Sequence, residues 1–204
     1  MKSDQKARLK RREFLAAGAV LPLALATGTL TVGSLAPRTV LAATPECGGD
    51  PTPRQTAGPF FKPNSPSRGS LVEAGESGDV MLLAGRVLST SCKPVAGALI
   101  DFWHCDAKGN YDNRGYHYRG HQYADADGGF SLETLVPGLY PGRTRHIHVI
   151  VQAPNRRPVT TQLYFPGERL NERDFLFNPA LLLKNVEDES KPMHTQFDFV
   201  LNLG

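Results

Sequence analysis

Arg145-His146-Ile147-His148-Val149-Ile150-Val151 is the stretch whose reading decides how this chain folds. It is rich in β-branched residues and alternates around two histidines, the pattern of a strand. Residues two apart on a strand share a face, about 6.5–7 Å apart at the backbone. Ile147 and Val149 therefore turn into a core, and the imidazoles of His146 and His148 can converge on one ion from the other face. His-x-His on its own is shared with zinc sites, cupin-like sites and paired surface histidines, so it points to a metal without naming it.

Working outward from the strand His146–Gln152, similar short runs recur at Met81–Leu88, Ala98–Trp103, Gly129–Leu135, Thr160–Phe165 and Gln196–Leu201. Strands at this spacing, separated by turn chemistry, predict an all-β fold, a β-sandwich. Ala98–Cys105 carries apolar residues on both faces, Ile100 and Phe102 against Leu99 and Trp103, and is expected to be a central strand covered on both sides. Asp127-Gly128-Gly129 is turn chemistry; with Asp125 it resembles a calcium loop, but the closing glutamate is missing. A short helical excursion is expected near 168–183, where Phe175, Leu176, Leu181 and Leu182 could fold down onto the core. No internal repeat is present.

Upstream of the strands, residues 44–70 contain six prolines, which excludes helix and sheet interior. Residues 43–79 read as an extended arm laid over a domain at 80–204. Residues 1–42 run from a basic stretch through Arg11-Arg12-Glu13-Phe14-Leu15 and an apolar run to Val40-Leu41-Ala42, a small-residue cleavage context. This resembles a twin-arginine export signal, with the twin-arginine translocase as a transient partner and a periplasmic or secreted destination. The alternative is an uncleaved anchor, since Phe14–Leu35 could span about 30 Å of hydrocarbon. Gly18, Pro22, Gly28 and Gly33 make the run less apolar than most spanning helices. The same 42 residues hold seven of the 23 basic residues and two of the 20 acidic ones, so the formal charge of +3 falls to near −2 for the remainder. That remainder has no basic stripe, which argues against a nucleic-acid partner. Three cysteines in an exported domain allow one bridge; Cys105, ending an apolar segment, is the candidate buried thiol and Cys47 with Cys92 the candidate pair, a choice that spacing does not settle.

The rest of the ligand set decides between metals. There is no His/Glu helix motif, no cysteine pair at metal spacing and no carboxylate beside the two histidines. There are tyrosines in suitable places: Tyr140 in Pro137-Gly138-Leu139-Tyr140-Pro141-Gly142, and Tyr111 after the turn Ala107-Lys108-Gly109-Asn110. Two phenolates with two imidazoles make an O₂N₂ set carrying two negative charges, which suits Fe(III) better than zinc or copper(I). A free phenol, with a pKa near 10, is protonated at neutral pH. A bound cation inverts that preference.

At this point the chain resembles the intradiol ring-cleavage dioxygenases, such as protocatechuate and catechol dioxygenases. The likeness covers nearly all of residues 52–204. It rests on the Thr-x-Gly-Pro-Phe arm at 56–60, on Asp101-Phe102-Trp103-His104-Cys105-Asp106-Ala107-Lys108-Gly109-Asn110-Tyr111, on Pro137-Gly138-Leu139-Tyr140-Pro141, on Arg143 three residues before His-Ile-His, and on Thr161-Gln162-Leu163-Tyr164-Phe165. The resemblance implies a prealbumin-like sandwich of two mixed sheets and one non-haem Fe(III) per chain. Tyr111 and His146 would be equatorial ligands, Tyr140 and His148 axial ones. Tyr140 would be displaced when a small aromatic diol binds. Arg143 would sit beside the substrate ring with Gln162 as its partner, and dioxygen would be incorporated whole to give a cis,cis-muconate-type diacid. A homo-oligomer is compatible with the family.

The chain also departs from the well-known members. Only five residues separate Tyr140 from His146, and Gly142 stands where those enzymes can have a bulky aromatic residue. A lower pocket wall is expected, and the chain leaves no room for the helical dimerisation segment of catechol-type relatives. Two competing readings keep part of the pattern: a secreted prealbumin-like binding module without catalysis, and a His-based zinc or copper site drawing on His104, His117, His121 or His194 together with the His146/His148 pair.

Overall fold

A computed structural model describes Cys47, residues 49–186 and residues 192–204. The export signal expected at 1–42 lies outside the described residues. Nine strands follow in order: β1 Val80–Ser89, β2 Leu99–Trp103, β3 Arg119–Tyr123, β4 Gly129–Leu135, β5 His146–Gln152, β6 Val159–Tyr164, β7 Lys184–Asn185, β8 Met193–Gln196 and β9 Phe199–Leu201. The fold is the all-β sandwich that the strand spacing predicts. One sheet runs β4-β1-β8-β7, with β9 also on β1; it is mixed, because β1 is antiparallel to β4 but parallel to β8 and β9. The other runs β3-β2-β5-β6 and is antiparallel throughout, where the resemblance implies a mixed sheet.

Alternation decides which face of the second sheet is core. Ile100 and Phe102 of β2 and Ile147, Val149 and Val151 of β5 are fully buried against Met81, Leu83, Leu132 and Phe199 of the first sheet. Each such side chain contributes about 1.5–3 kcal/mol by leaving water, so a one-residue slip that exposed this set would be prohibitive. The same alternation puts His146 and His148 on the outer face.

That outer face is covered by the N-terminal segment, which runs extended across it. It is tied to that sheet's two edge strands, Gln55 N–H donating to Thr160 O of β6 (2.8 Å) and Arg68 N–H to His121 O of β3 (2.9 Å), and at either end to the other sheet, Thr52 N–H donating to Val200 O of β9 (2.9 Å) and Leu71 N–H to Glu133 O of β4 (2.8 Å). β2 is interior to its sheet, as its two apolar faces require. Its second face is closed by this segment, with Phe61 against Trp103 (5.0 Å between centroids) and Ser65 Oγ–H donating to Asp101 Oδ1 (2.8 Å). Cys47 is disulfide-bonded to Cys92, and Cys105 is a buried free thiol.

Three local expectations need correction. Gln196–Leu201 is not one strand: Phe197 and Asp198 interrupt it between β8 and β9, with Phe197 N–H bonded to Ala84 O (3.0 Å) and Asp198 Oδ1 accepting Arg86 N–H (2.8 Å). β3 goes unpredicted because Arg-Gly-His-Gln-Tyr has no apolar alternation to mark it. The helical excursion near 168–183 shrinks to a 3-10 turn at Pro179–Leu181, capped by Asn178, and Phe175 is 87% exposed. Side chains compete with helix there: Asp174 Oδ1 accepts Leu176 N–H (2.9 Å) and Asn171 Nδ2–H donates to Phe165 O (2.9 Å).

Candidate active site

Strand register sets the first part of the site. Trp103 pairs with His148, and His148 with Gln162, so the three lie in one cross-strand row on the outer face of the antiparallel sheet. His146, paired with Tyr164, lies in the next row. The tyrosines come from two loops beyond the strand ends. In the first, Asp106 Oδ1 accepts the N–H groups of Lys108 and Asn110 (both 2.8 Å), a tight turn that delivers Tyr111. The second carries Tyr140, and the loops abut backbone to backbone at two glycines. A Cβ on Gly138 would sit 2.5 Å from Gly109 N, and one on Gly109 would sit 2.2 Å from Leu139 O. Gly138 N–H donates to Asp106 O (2.8 Å), locking the approach.

Three donor atoms meet in this corner. Tyr111 Oη lies 3.2 Å from His146 Nε2, which lies 3.2 Å from His148 Nε2. The Tyr140 ring stands edge-on to Tyr111, 5.6 Å between centroids. Phe60 completes a triangle of rings with the tyrosines, stacked on Tyr111 (4.3 Å, 14°) and edge-on to Tyr140 (5.4 Å, 72°). Trp103 lies parallel to His148 (5.0 Å, 4°). All four residues expected as ligands are thus brought together.

Protonation favours a cation. His146 Nδ1–H donates to Thr144 O (2.7 Å), which leaves Nε2 with a lone pair facing the other donors. Burial, only partly offset by that bond, pushes His146 down to about 4. Burial and the neighbouring positive groups hold His148 well below the usual imidazole range, and its Nδ1 has no hydrogen-bond partner among the described residues. Both rings are neutral and able to donate lone pairs. Burial raises the Tyr111 phenol, so without a cation it stays protonated and its hydroxyl donates to His146 Nε2. Two nitrogens 3.2 Å apart, each about 2.1 Å from a shared ion, would subtend about 100°. The residues therefore fit one hard cation bound by two imidazoles and two phenolates.

Behind the donors lies a hydrogen-bonded chain of polar side chains. Arg143 Nε–H donates to Asp174 Oδ2 (2.8 Å) and Nη2–H to Gln162 Oε1 (2.7 Å); Gln162 Nε2–H donates to Thr56 O (3.0 Å). The expected pairing of Arg143 with Gln162 is present. Burial would raise the Asp174 carboxyl, but N–H groups of Leu176 and Thr144 and the Arg143 guanidinium outweigh it and hold it below the usual range. Arg119, fully buried, donates to Phe60 O (2.7 Å) and Asp112 O (3.0 Å), tying the N-terminal segment to the Tyr111 loop. Arg119, Phe60 and Asp174 were not singled out from the sequence. Phe60 belongs to the quoted Thr-x-Gly-Pro-Phe run, whereas Arg119 and Asp174 carry no local signature.

The remaining histidines are occupied elsewhere. His104 is held between Cys105 O and Thr134 Oγ1 (both 2.7 Å), His117 between Glu73 and Glu76 (2.9 and 3.1 Å), and His121 by Ser65. His194 lies on β8 in the other sheet. Among the described residues no three His, Cys, Asp or Glu side chains form a metal-binding group. The His-based zinc or copper reading, which needs one of these four to join the His146/His148 pair, is therefore not favoured among the described residues.

A family model described as "Dioxygenase" matches residues 56–203, which include every residue named in this site. The chain belongs to the intradiol ring-cleavage dioxygenase family. Its sandwich resembles the dioxygenase domain of a dioxygenase carbohydrate-binding protein fusion from the cellulolytic bacterium Streptomyces sp. SirexAA-E, at 53% identity and a TM-score of 0.73 over 76% of this chain and 100% of that one. The 6-chlorohydroxyquinol 1,2-dioxygenase of Cupriavidus pinatubonensis is 27% identical across 95% of this chain and 75% of its own length. The hydroxyquinol 1,2-dioxygenase of Nocardioides simplex is 28% identical across 82% of this chain, which spans 61% of that enzyme. Family membership makes this dioxygenase an oxidoreductase that cleaves an aromatic ring, and the reading as a non-catalytic binding module falls away.

Proposed function

We propose that this dioxygenase uses one Fe(III), held by Tyr111, Tyr140, His146 and His148, to cleave a catechol-type diol between its hydroxylated carbons, giving a cis,cis-muconate-type diacid. The observation that carries the proposal is the meeting of Tyr111 Oη, His146 Nε2 and His148 Nε2 at 3.2 Å spacings beside the Tyr140 ring. When bound, the ferric ion supplies Lewis acidity and a template for the two diol oxygens. His146 is kept in the correct tautomer by Thr144 O, and Tyr111 is braced by Phe60. Tyr140 is assigned the role of taking a proton from a substrate hydroxyl, by the family resemblance and by its ring lying beside Tyr111. Arg143, fixed at two points, places a positive charge where carbanion character develops on the ring.

Relatives act, by name, on hydroxyquinol, 6-chlorohydroxyquinol and catechol, so these diols and protocatechuate form the natural test panel. Purified protein should be wine-red, take up oxygen with at least one of them and release a diacid. Tyr111→Phe and Tyr140→Phe should each weaken the colour, and the double substitution should abolish it and empty the site of iron. Colourless iron-free protein, or a product cleaved beside the diol, would sink the assignment. For residues 1–42 we propose export by the twin-arginine route; replacing Arg11 and Arg12 by lysine should hold the enzyme in the cytoplasm in a fractionation assay.

A further inference from the structure

We propose that Asp174 is a positioning residue for the reaction, acting through Arg143; this rests on the role given to Arg143 above. Asp174 lies in the irregular segment between β6 and the 3-10 turn, far in sequence from any ligand. Its side chain is 1% exposed, yet the neighbouring Phe175 is 87% exposed. Burying a carboxylate in a surface loop is costly unless its oxygens are matched. Here both are. Oδ2 accepts Arg143 Nε–H (2.8 Å) and Thr144 N–H (2.9 Å), while Oδ1 accepts Leu176 N–H (2.9 Å).

These bonds do more than hold a loop. A guanidinium is a rigid plane, and the Nε bond to Asp174 together with the Nη2 bond to Gln162 takes up one side edge of it. The group can then neither rotate about its last bond nor withdraw along its own axis. Gln162 alone would leave a hinge. Asp174 also grips the backbone of Thr144, whose carbonyl fixes the His146 tautomer, and Asn171 Oδ1 accepts Thr144 Oγ1–H (2.7 Å). One turn therefore sets the arginine on the substrate side relative to the ligand on the metal side. Displacing a charge by about 1 Å from its working position can cost on the order of 100-fold in rate.

The test is a double-mutant cycle in the iron-loaded enzyme. Asp174→Asn should keep the visible band and the spectral change on binding catechol, leave the catechol Kd nearly unchanged, and lower kcat on the order of 100-fold. In an Arg143→Ala background the same substitution should lower kcat no further, although it should still lower the unfolding temperature by loosening the Thr144 and Leu176 contacts. Wild-type kcat in folded Asp174→Asn would overturn the inference. So would a full further loss in the Arg143→Ala background, which would mean a purely structural role. Undiminished turnover in Arg143→Ala alone would instead overturn the underlying assignment and take this inference with it. If Asp174→Asn fails to fold, Asp174→Glu keeps the charge, moves the anchoring oxygens by one methylene and enters the same cycle with the same expected outcomes.

Discussion

Burial acts oppositely on the residues of this site, and the sum is a corner that is neutral until a cation enters. It strips the imidazoles of their protons, with His146 near 4, and it keeps the Tyr111 phenol protonated. A hard cation reverses only the second effect. Just outside the corner, Asp112 shows a carboxylate stabilised by its own turn. It accepts the N–H groups of Gly115 and Arg114 (both 2.8 Å) and of His117 (3.0 Å). The Gly115 bond foremost, against opposing burial, holds its carboxyl at about 2 rather than 3.8. A folded value below the unfolded one means a contribution to stability that is present above 3.8 and is lost as the pH falls through about 2. The difference in urea-unfolding free energy between wild type and Asp112→Asn should therefore shrink as the pH is lowered through that window. A gap that stays constant would show that the charge is not what stabilises the turn.

At the scale of elements, two kinds of segment build the site, and they differ in how legible they are. β4 and β5 can be read residue for residue, because apolar alternation marks the first and β-branched residues alternating with histidines mark the second. The loops bearing Tyr111 and Tyr140 give no hint in sequence that they touch. Their contact depends on Gly138 N–H bonding to Asp106 O and on the absence of side chains at Gly109 and Gly138. Gly138→Ala should force the loops apart, lowering stability by about 1–3 kcal/mol, as overpacking commonly does. Because both tyrosines ride on these loops, iron retention and colour should fall as well. Thermal unfolding and metal analysis read the two effects; wild-type iron content would show that the tyrosines do not depend on this contact.

For the whole molecule, the Cys47–Cys92 bridge ties the start of the covering segment to the hairpin after β1 across a separation of 45 residues. Closing a loop of that length in the unfolded chain stabilises the folded one by about 3–5 kcal/mol. Cys47→Ser with Cys92→Ser should lower the unfolding midpoint clearly while leaving any visible band intact, since neither cysteine touches the corner of Tyr111, His146 and His148; an unchanged midpoint would show that the segment is held by its hydrogen bonds alone. What the sequence determined by itself is the local pattern: strands and their inward faces, the His-x-His pair, tyrosines in turns and a covering arm. These follow from periodicity and residue chemistry, which act over a few residues. Tertiary structure alone decided that Tyr111 Oη, His146 Nε2 and His148 Nε2 meet beside the Tyr140 ring, and that Arg119 and Phe60 lock the covering segment onto the Tyr111 loop. It alone buried Asp174 behind Arg143 and made one sheet mixed and the other antiparallel. Those features arise from contacts between residues dozens of positions apart, where the geometry is set by which backbones can approach and which buried polar atoms find partners.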